Sequence, residues 1–277
     1  MTACRLAARV GMVTITCTAL VIAGAAIATA GAAASPGAVP SHKGILPPKN
    51  PKRSVGPKPF FLRSSFCIGG KDGPGCNKLV LRATTRARRL LEKMGAMSFS
   101  LAAYEKLKPI EQLFVTVDLE RTARGLAPAT VLTRSLDKVA QKGANTDKDP
   151  PLQDVPSPLP GGGTWVALGG NWAGGWDNAL GANYAWMYDD GPGSDNADCT
   201  KTNHRGCWGH RDNILGTFNT KFRCGGQRNE LAMGAGHVAR GKEFGDSETE
   251  LLAGVCGRTP TDVVMTWAKA KRLLHIK

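Results

Sequence analysis

The chain has 277 residues, with 36 Lys and Arg against 22 Asp and Glu, a formal charge of +14, and eight cysteines. That length can close one sizeable core or two small ones. There is no internal repeat, and past residue 34 no stretch is apolar enough to span a bilayer, so the body is expected to be soluble.

Residues 1–34 read as an export signal. Arg5 and Arg9 make a basic start, an uncharged run follows from Val10 to Ala30, and Ala32–Ala34 fits a small-residue cleavage site before Ser35. The alternative is an uncleaved N-terminal helix that anchors the chain in a membrane, because the run approaches the roughly 20 residues that span a bilayer. Cys4 and Cys17 lie in this segment. The other six cysteines are Cys67, Cys76, Cys199, Cys207, Cys224 and Cys256. An even number in an exported chain predicts three disulfides. Proximity favours Cys67–Cys76, Cys199–Cys207 and Cys224–Cys256, without excluding other connectivities.

The charge is uneven. Residues 35–93 hold 13 Lys and Arg against two acidic residues, whereas residues 94–277 hold 21 against 20. Residues 35–65 are rich in Pro and Lys and are expected to be an extended or disordered linker. Residues 66–97 form a basic disulfide loop and helix, amphipathic over 79–93. Outside a cell, residues 43–93 could meet anionic envelope polymers or lipids; they could equally be a solvated linker. No nucleic-acid module is recognisable.

In residues 98–277 the apolar spacing predicts a helix over 98–124, with Pro109 at a first-turn position and Gly125 as its stop. Further helices are expected at 133–142 and 177–190, separated by a loop over 145–163. Strand-like runs follow at 231–238 and 249–255, and residues 262–274 read as strand or helix. Helices first and strands late predict an α+β layered domain.

Four segments carry a resemblance. Phe114–Pro128 (FVTVDLERTARGLAP) is similar to the opening helix of bacterial CAP/SCP-like domains, "LvNxeRaxxGLxPL". Gly169–Ala173 (GGNWA) resembles their "GENIA" element. Trp186-Met187 with Gly209–Leu215 (GHRDNIL) resembles "WM…GHRxNIL", and Met233–Gly236 resembles the "iGvG" strand. The resemblance implies a CAP-type α-β-α sandwich with a central antiparallel sheet, disulfide-stapled and preceded by the basic extension, in a secreted protein. It also implies a cleft with two His and two Glu that can bind a divalent metal. Of these, only His210 is matched directly. Gly170 stands where one Glu is expected, Asp189 is the nearest counterpart of the other, and the upstream His has no counterpart.

The cleft is therefore expected near His210, Asp189, Asn171, Trp172 and Trp176, and to take a small or polymeric ligand. Trp165, Trp186 and Trp208 lie nearby in sequence, the last two expected in the core. His210 and Asp189 are also the candidates for a base and its orienter, and His210 is equally a packing residue at a helix end. Arg211 and Asn213 are expected to fasten helix to loop. His210, Asp189, His204 and His237 are alternative zinc ligands, and Asp189, Asp190, Asp195 and Asp198 an alternative calcium loop. No G-x-S-x-G, H-E-x-x-H or P-loop pattern occurs. Three functions remain open: a non-enzymatic binding protein of the envelope, an envelope hydrolase acting on peptidoglycan, glycan or lipid through His210 and Asp189, and a structural protein with a vestigial cleft.

Overall fold

The computed structural model describes residues 48–56, 59–67, 73–216, 224–225 and 227–276, all within the unit His42–Lys277. The export segment, Cys4 and Cys17, and residues 35–47 of the linker lie outside them. Elements run in the order α1 (Pro74–Glu92), α2 (Leu101–Tyr104), α3 (Pro109–Thr122), β1 (Val131–Thr133), α4 (Arg134–Thr146), β2 (Thr164–Gly174), α5 (Ala179–Tyr188), α6 (Gly209–Leu215), β3 (Asn229–Val238), β4 (Ser247–Cys256), β5 (Val263–Thr266) and α7 (Trp267–Leu274). The fold is mixed α+β.

The helix expected over 98–124 is divided. Pro109 occupies the first turn of α3 and Lys108 before it is extended, φ −67° and ψ 153°. A proline ring disfavours helical backbone at the preceding residue, so α2 cannot run into α3. Residues 262–274 are both things the pattern allowed, strand β5 and then α7, whose first turn is capped by the Thr266 side chain.

The five strands are ordered β2-β4-β3-β1-β5. The expected antiparallel sheet holds for three pairings, but β1 and β3 are parallel. Parallel neighbours need a crossover, and α4, which follows β1 directly, lies across the sheet on that path. The sheet alternates as a two-sided layer must. Ala232, Leu251, Ala253 and Val255 join Leu136, Val139 and Ala140 of α4 in one cluster. Leu231, Met233, Ala235 and Leu252 join α1, α3 and α5 residues in the other. The approach of α4 is close enough that a Cβ on Gly234 would collide with the Leu136 backbone.

The Pro/Lys-rich segment differs from its expected disorder within the described residues. The Ser54 N–H donates to the Pro192 carbonyl and the Val55 N–H to that of Tyr188, each at 3.0 Å. Ser54 Oγ donates to the Gly191 carbonyl at 2.9 Å, and Phe61 is fully buried. Such a segment needs no core of its own when the domain supplies the acceptors and the apolar slot. Nor is α1 an appendage, for Val80, Ala83 and Ala87 belong to the main cluster.

Charged side chains bind these helices together. Arg88 of α1 meets Glu120 of α3 at 2.7 Å, both almost fully buried. Arg124 reaches Glu120 at 2.5 Å and also pairs with Glu92. Tyr188 of α5 donates to Glu120 at 2.7 Å, and Arg211 of α6 pairs with Glu92 at 2.5 Å. The six later cysteines form the three pairs that proximity favoured.

Candidate functional site

Strand alternation aims Asn171 of β2 and Glu250 of β4 at the same face, since the two stand opposite one another in register. Asn171 Nδ2 donates to Glu250 Oε1 at 2.6 Å and to the His210 carbonyl at 3.0 Å. Asn213, one turn along α6, donates to Asn171 Oδ1 at 2.8 Å and to the Gly170 carbonyl at 3.0 Å. Arg211 between them donates to the Met187 carbonyl at 2.7 Å. The GHRDNIL helix is thus sewn to the GGNWA strand on one side and to α5 on the other.

His210 is held by Asp190. Its Nδ1 lies 2.6 Å from Asp190 Oδ1, and the backbone N–H groups of His210 and Arg211 donate to Asp190 Oδ2 at 3.0 and 3.3 Å. One buried carboxylate therefore caps α6 and orients the ring. The expected orienter, Asp189, is replaced in this role by its neighbour. Asp189 closes α5 and its charge acts instead on Tyr184, whose phenol is raised by burial first and by Asp189 second. Adjacent aspartates after a helix end face different ways, and composition cannot say which faces α6.

The electrostatics follow. Burial alone would lower the pKa of His210; the hydrogen bond and charge of Asp190, then the charges of Asp149 and Asp198, outweigh it and raise it. The ring keeps 23 % of its side-chain exposure. Glu250 is fully buried and is pushed up to about 8 by desolvation, against the pull of His210, Asn171 and Arg121. Its Oε2 has no hydrogen-bond partner among the described residues.

Trp172, the next residue of β2, alternates to the face away from Asn171 and His210. Its indole N–H donates to Ser247 Oγ at 2.8 Å, and its ring stands edge-on to half-exposed Phe244 at 5.4 Å. Trp176 is half-buried and packs against Phe61 and Tyr184, and Trp186 and Trp208 are in the interior.

The metal-ligand sets do not assemble. His204 is exposed in the Cys199–Cys207 loop, and His237 Nδ1 meets buried Glu248 at 2.7 Å. Asp190 of the acidic loop is engaged by His210 and by Asn196 at 2.6 Å. A Cβ on Gly170 would approach Pro150 and Leu152, whereas the next residue, Asn171, faces His210. Among the described residues no three His, Cys, Asp or Glu side chains converge as a metal site would require. The residues present therefore do not fit the divalent metal that the resemblance implies.

From sequence, Asp190 is expected only in the acidic loop and His237 only as a metal ligand, and Glu248 and Glu250 carry no expectation. The signal for Glu248 and Glu250 was the alternation in Ser247-Glu248-Thr249-Glu250, which puts two carboxylates on one face of a strand that leads into an apolar run.

The fold and site together define a disulfide-bonded α+β protein with a carboxylate-held histidine at the seam of a strand and a short helix. No family model matches the chain, and no curated protein or solved structure matches it. Among the described residues no helix is long and apolar enough to cross a membrane.

Proposed function

We propose that the chain is an exported CAP/SCP-like protein that binds a ligand at the cell envelope through the cleft at His210, without turning it over. The observation that carries this is the double bond-set of Asn213 to Asn171 and Gly170. It joins two of the four family-like segments, GHRDNIL and GGNWA, with His210 at their seam. The motif order and three disulfide pairs support an exported protein, since disulfides persist in oxidising compartments. Ser35 is the proposed mature N-terminus, with an uncleaved anchor as the alternative. Residues 43–93 are the proposed contact with anionic envelope polymers or lipids.

The carboxylates of Asp190, Asp149 and Asp198 act on the His210 ring from around this rim. Such a rim suits a ligand rich in hydroxyl or amine donors. The test is sedimentation with purified cell-wall sacculi at a salt concentration that screens the basic segment. The cleft reading expects retention to fall in Asp149→Asn and in Asp190→Asn, the two carboxylates that act most on His210. Retention unchanged in both would remove the cleft from the account.

A second reading is an envelope hydrolase. The specific observation in its favour is the 2.6 Å bond from Asp190 to a partly exposed ring, the arrangement that holds a general base in one tautomer.

A further inference from the structure

A groove of about 520 Å³ runs along the outer face of α1, lined by Arg82, Arg86 and Arg89 above Leu81, Leu90 and Met97. The three arginines are exposed and recur at helical spacing on one side of α1. Arg88, on the inner side, is neutralised by Glu120. Among the described residues none of the outer three has a carboxylate at ion-pair distance. Glu92, the acid at the end of α1, is taken by Arg124 and Arg211.

Apolar side chains accompany this charge. Leu90 is 64 % exposed, and Phe60 and Phe66 are 54 % and 63 % exposed. Phe66 stands at the start of α1, where a Cβ on Gly75 would lie 2.7 Å from its ring, and the turn carrying Phe60 packs on the same helix. Half of the large apolar side chains that are exposed among the described residues thus belong to this end of the chain. Bare arginines alone would suit any polyanion. Arginines above an apolar floor, flanked by exposed rings, suit an anion that carries hydrocarbon.

We propose that this groove seats an anionic membrane lipid, its phosphate on Arg82, Arg86 and Arg89 and its upper acyl segment on Leu81, Leu90 and Met97. This rests on the reading that residues 43–93 meet anionic partners, and narrows it to one chemistry and one place. It is independent of the His210 cleft.

The experiment is co-sedimentation of the full chain with vesicles of phosphatidylcholine containing phosphatidylglycerol, at physiological salt. Removing three basic groups from an anionic surface is worth on the order of 100-fold in partitioning, so R82A/R86A/R89A is expected to bind about that much more weakly. The control K269A/K271A/R272A removes equal charge from exposed positions of α7 and is expected to stay within about fivefold. L90S, with every charge kept, is expected to lose about tenfold. R82K/R86K/R89K keeps the charge and is expected to retain most of the binding, which separates lost contacts from lost folding.

Equal loss in the two alanine triples would overturn the groove and leave the anionic-partner reading standing. No sedimentation of the wild-type chain would overturn both. Full displacement by millimolar inorganic phosphate, with L90S silent, would make the site a bare anion site. Binding of a soluble polyphosphate as strong as that of vesicles, again with L90S silent, would assign the surface to a polymer; either result overturns the lipid.

Discussion

Asp190 Oδ1 lies 2.6 Å from His210 Nδ1, and the same carboxylate caps the helix that carries His210. The pair couples the charge of the His210 ring to the capping of α6. In Asp190→Asn the ring loses the two largest interactions that raise its pKa, keeps the weaker pull of Asp149 and Asp198, and is expected to titrate lower than in wild type. Asp189→Asn is expected to leave the ring raised. An NMR titration of the His210 ring protons checks both. A ring that titrates alike in wild type and Asp190→Asn would separate the two residues in solution.

The pair also sets a pH dependence. A histidine raised by its partner contributes stability that is fully present below its unfolded value and is lost as pH rises through the higher folded value. Wild type is therefore expected to lose more stability than His210→Gln over the interval between those values. Urea unfolding at closely spaced pH values measures it.

Glu250 gives a second and wider window. Its folded pKa is raised to about 8, so its contribution is present at acid pH and is lost as pH climbs from the ordinary carboxylate range through that value. Glu250→Gln keeps the acceptor oxygen that Asn171 uses and cannot ionise. It is expected to unfold at higher temperature than wild type above pH 8, by the equivalent of roughly 1–3 kcal/mol, the penalty for an unsatisfied buried group, and to match it near pH 5. A variant less stable than wild type at alkaline pH would show that Glu250 is charged and satisfied there.

Glu120 binds three elements, through Arg88, Arg124 and Tyr188. Deleting one partner of a buried ion pair costs about 3–5 kcal/mol because the remaining charge is stranded. Glu120→Ala is expected to lose that much in chemical denaturation. A loss within about 0.5 kcal/mol, the range of ordinary surface substitutions, would mean that α1 is not part of the cooperative unit.

Much of this architecture could be read from residue order, and the gaps have physical causes. The cores of α3, α4 and α5 and the strands β3 and β4 declare themselves by apolar period. So does the helix after Cys76, although α1 begins at Pro74, earlier than its amphipathic stretch. Strand β1 has only three residues, too few for any periodicity, and its parallel pairing depends on a distant partner. The 11 residues of β2 hide because Gly169, Gly170 and Gly174 remove the alternation. The strap at Ser54 is satisfied by backbone acceptors, which no composition reveals. At the site, His210 and Asn171 were legible through motifs. Asp190 and Glu250 were not, because their roles come from which way a helix end and a strand face.

Gly170 separates motif from geometry. Placing glutamate there restores the family-like letter but aims it at Pro150 and Leu152. Gly170→Glu is expected to gain no zinc-dependent shift in melting temperature and to lose stability through crowding, by about 1–3 kcal/mol. A zinc-dependent rise in melting temperature would show that the site can be rebuilt.

The most direct measurement is on the protein incubated with purified cell-wall sacculi, with the supernatant read by mass spectrometry for soluble fragments. The account predicts that the protein sediments with the sacculi and that no fragments appear, in wild type and in His210→Gln alike. Fragments released by wild type and absent with His210→Gln would contradict it and make the carboxylate-held histidine a catalytic base.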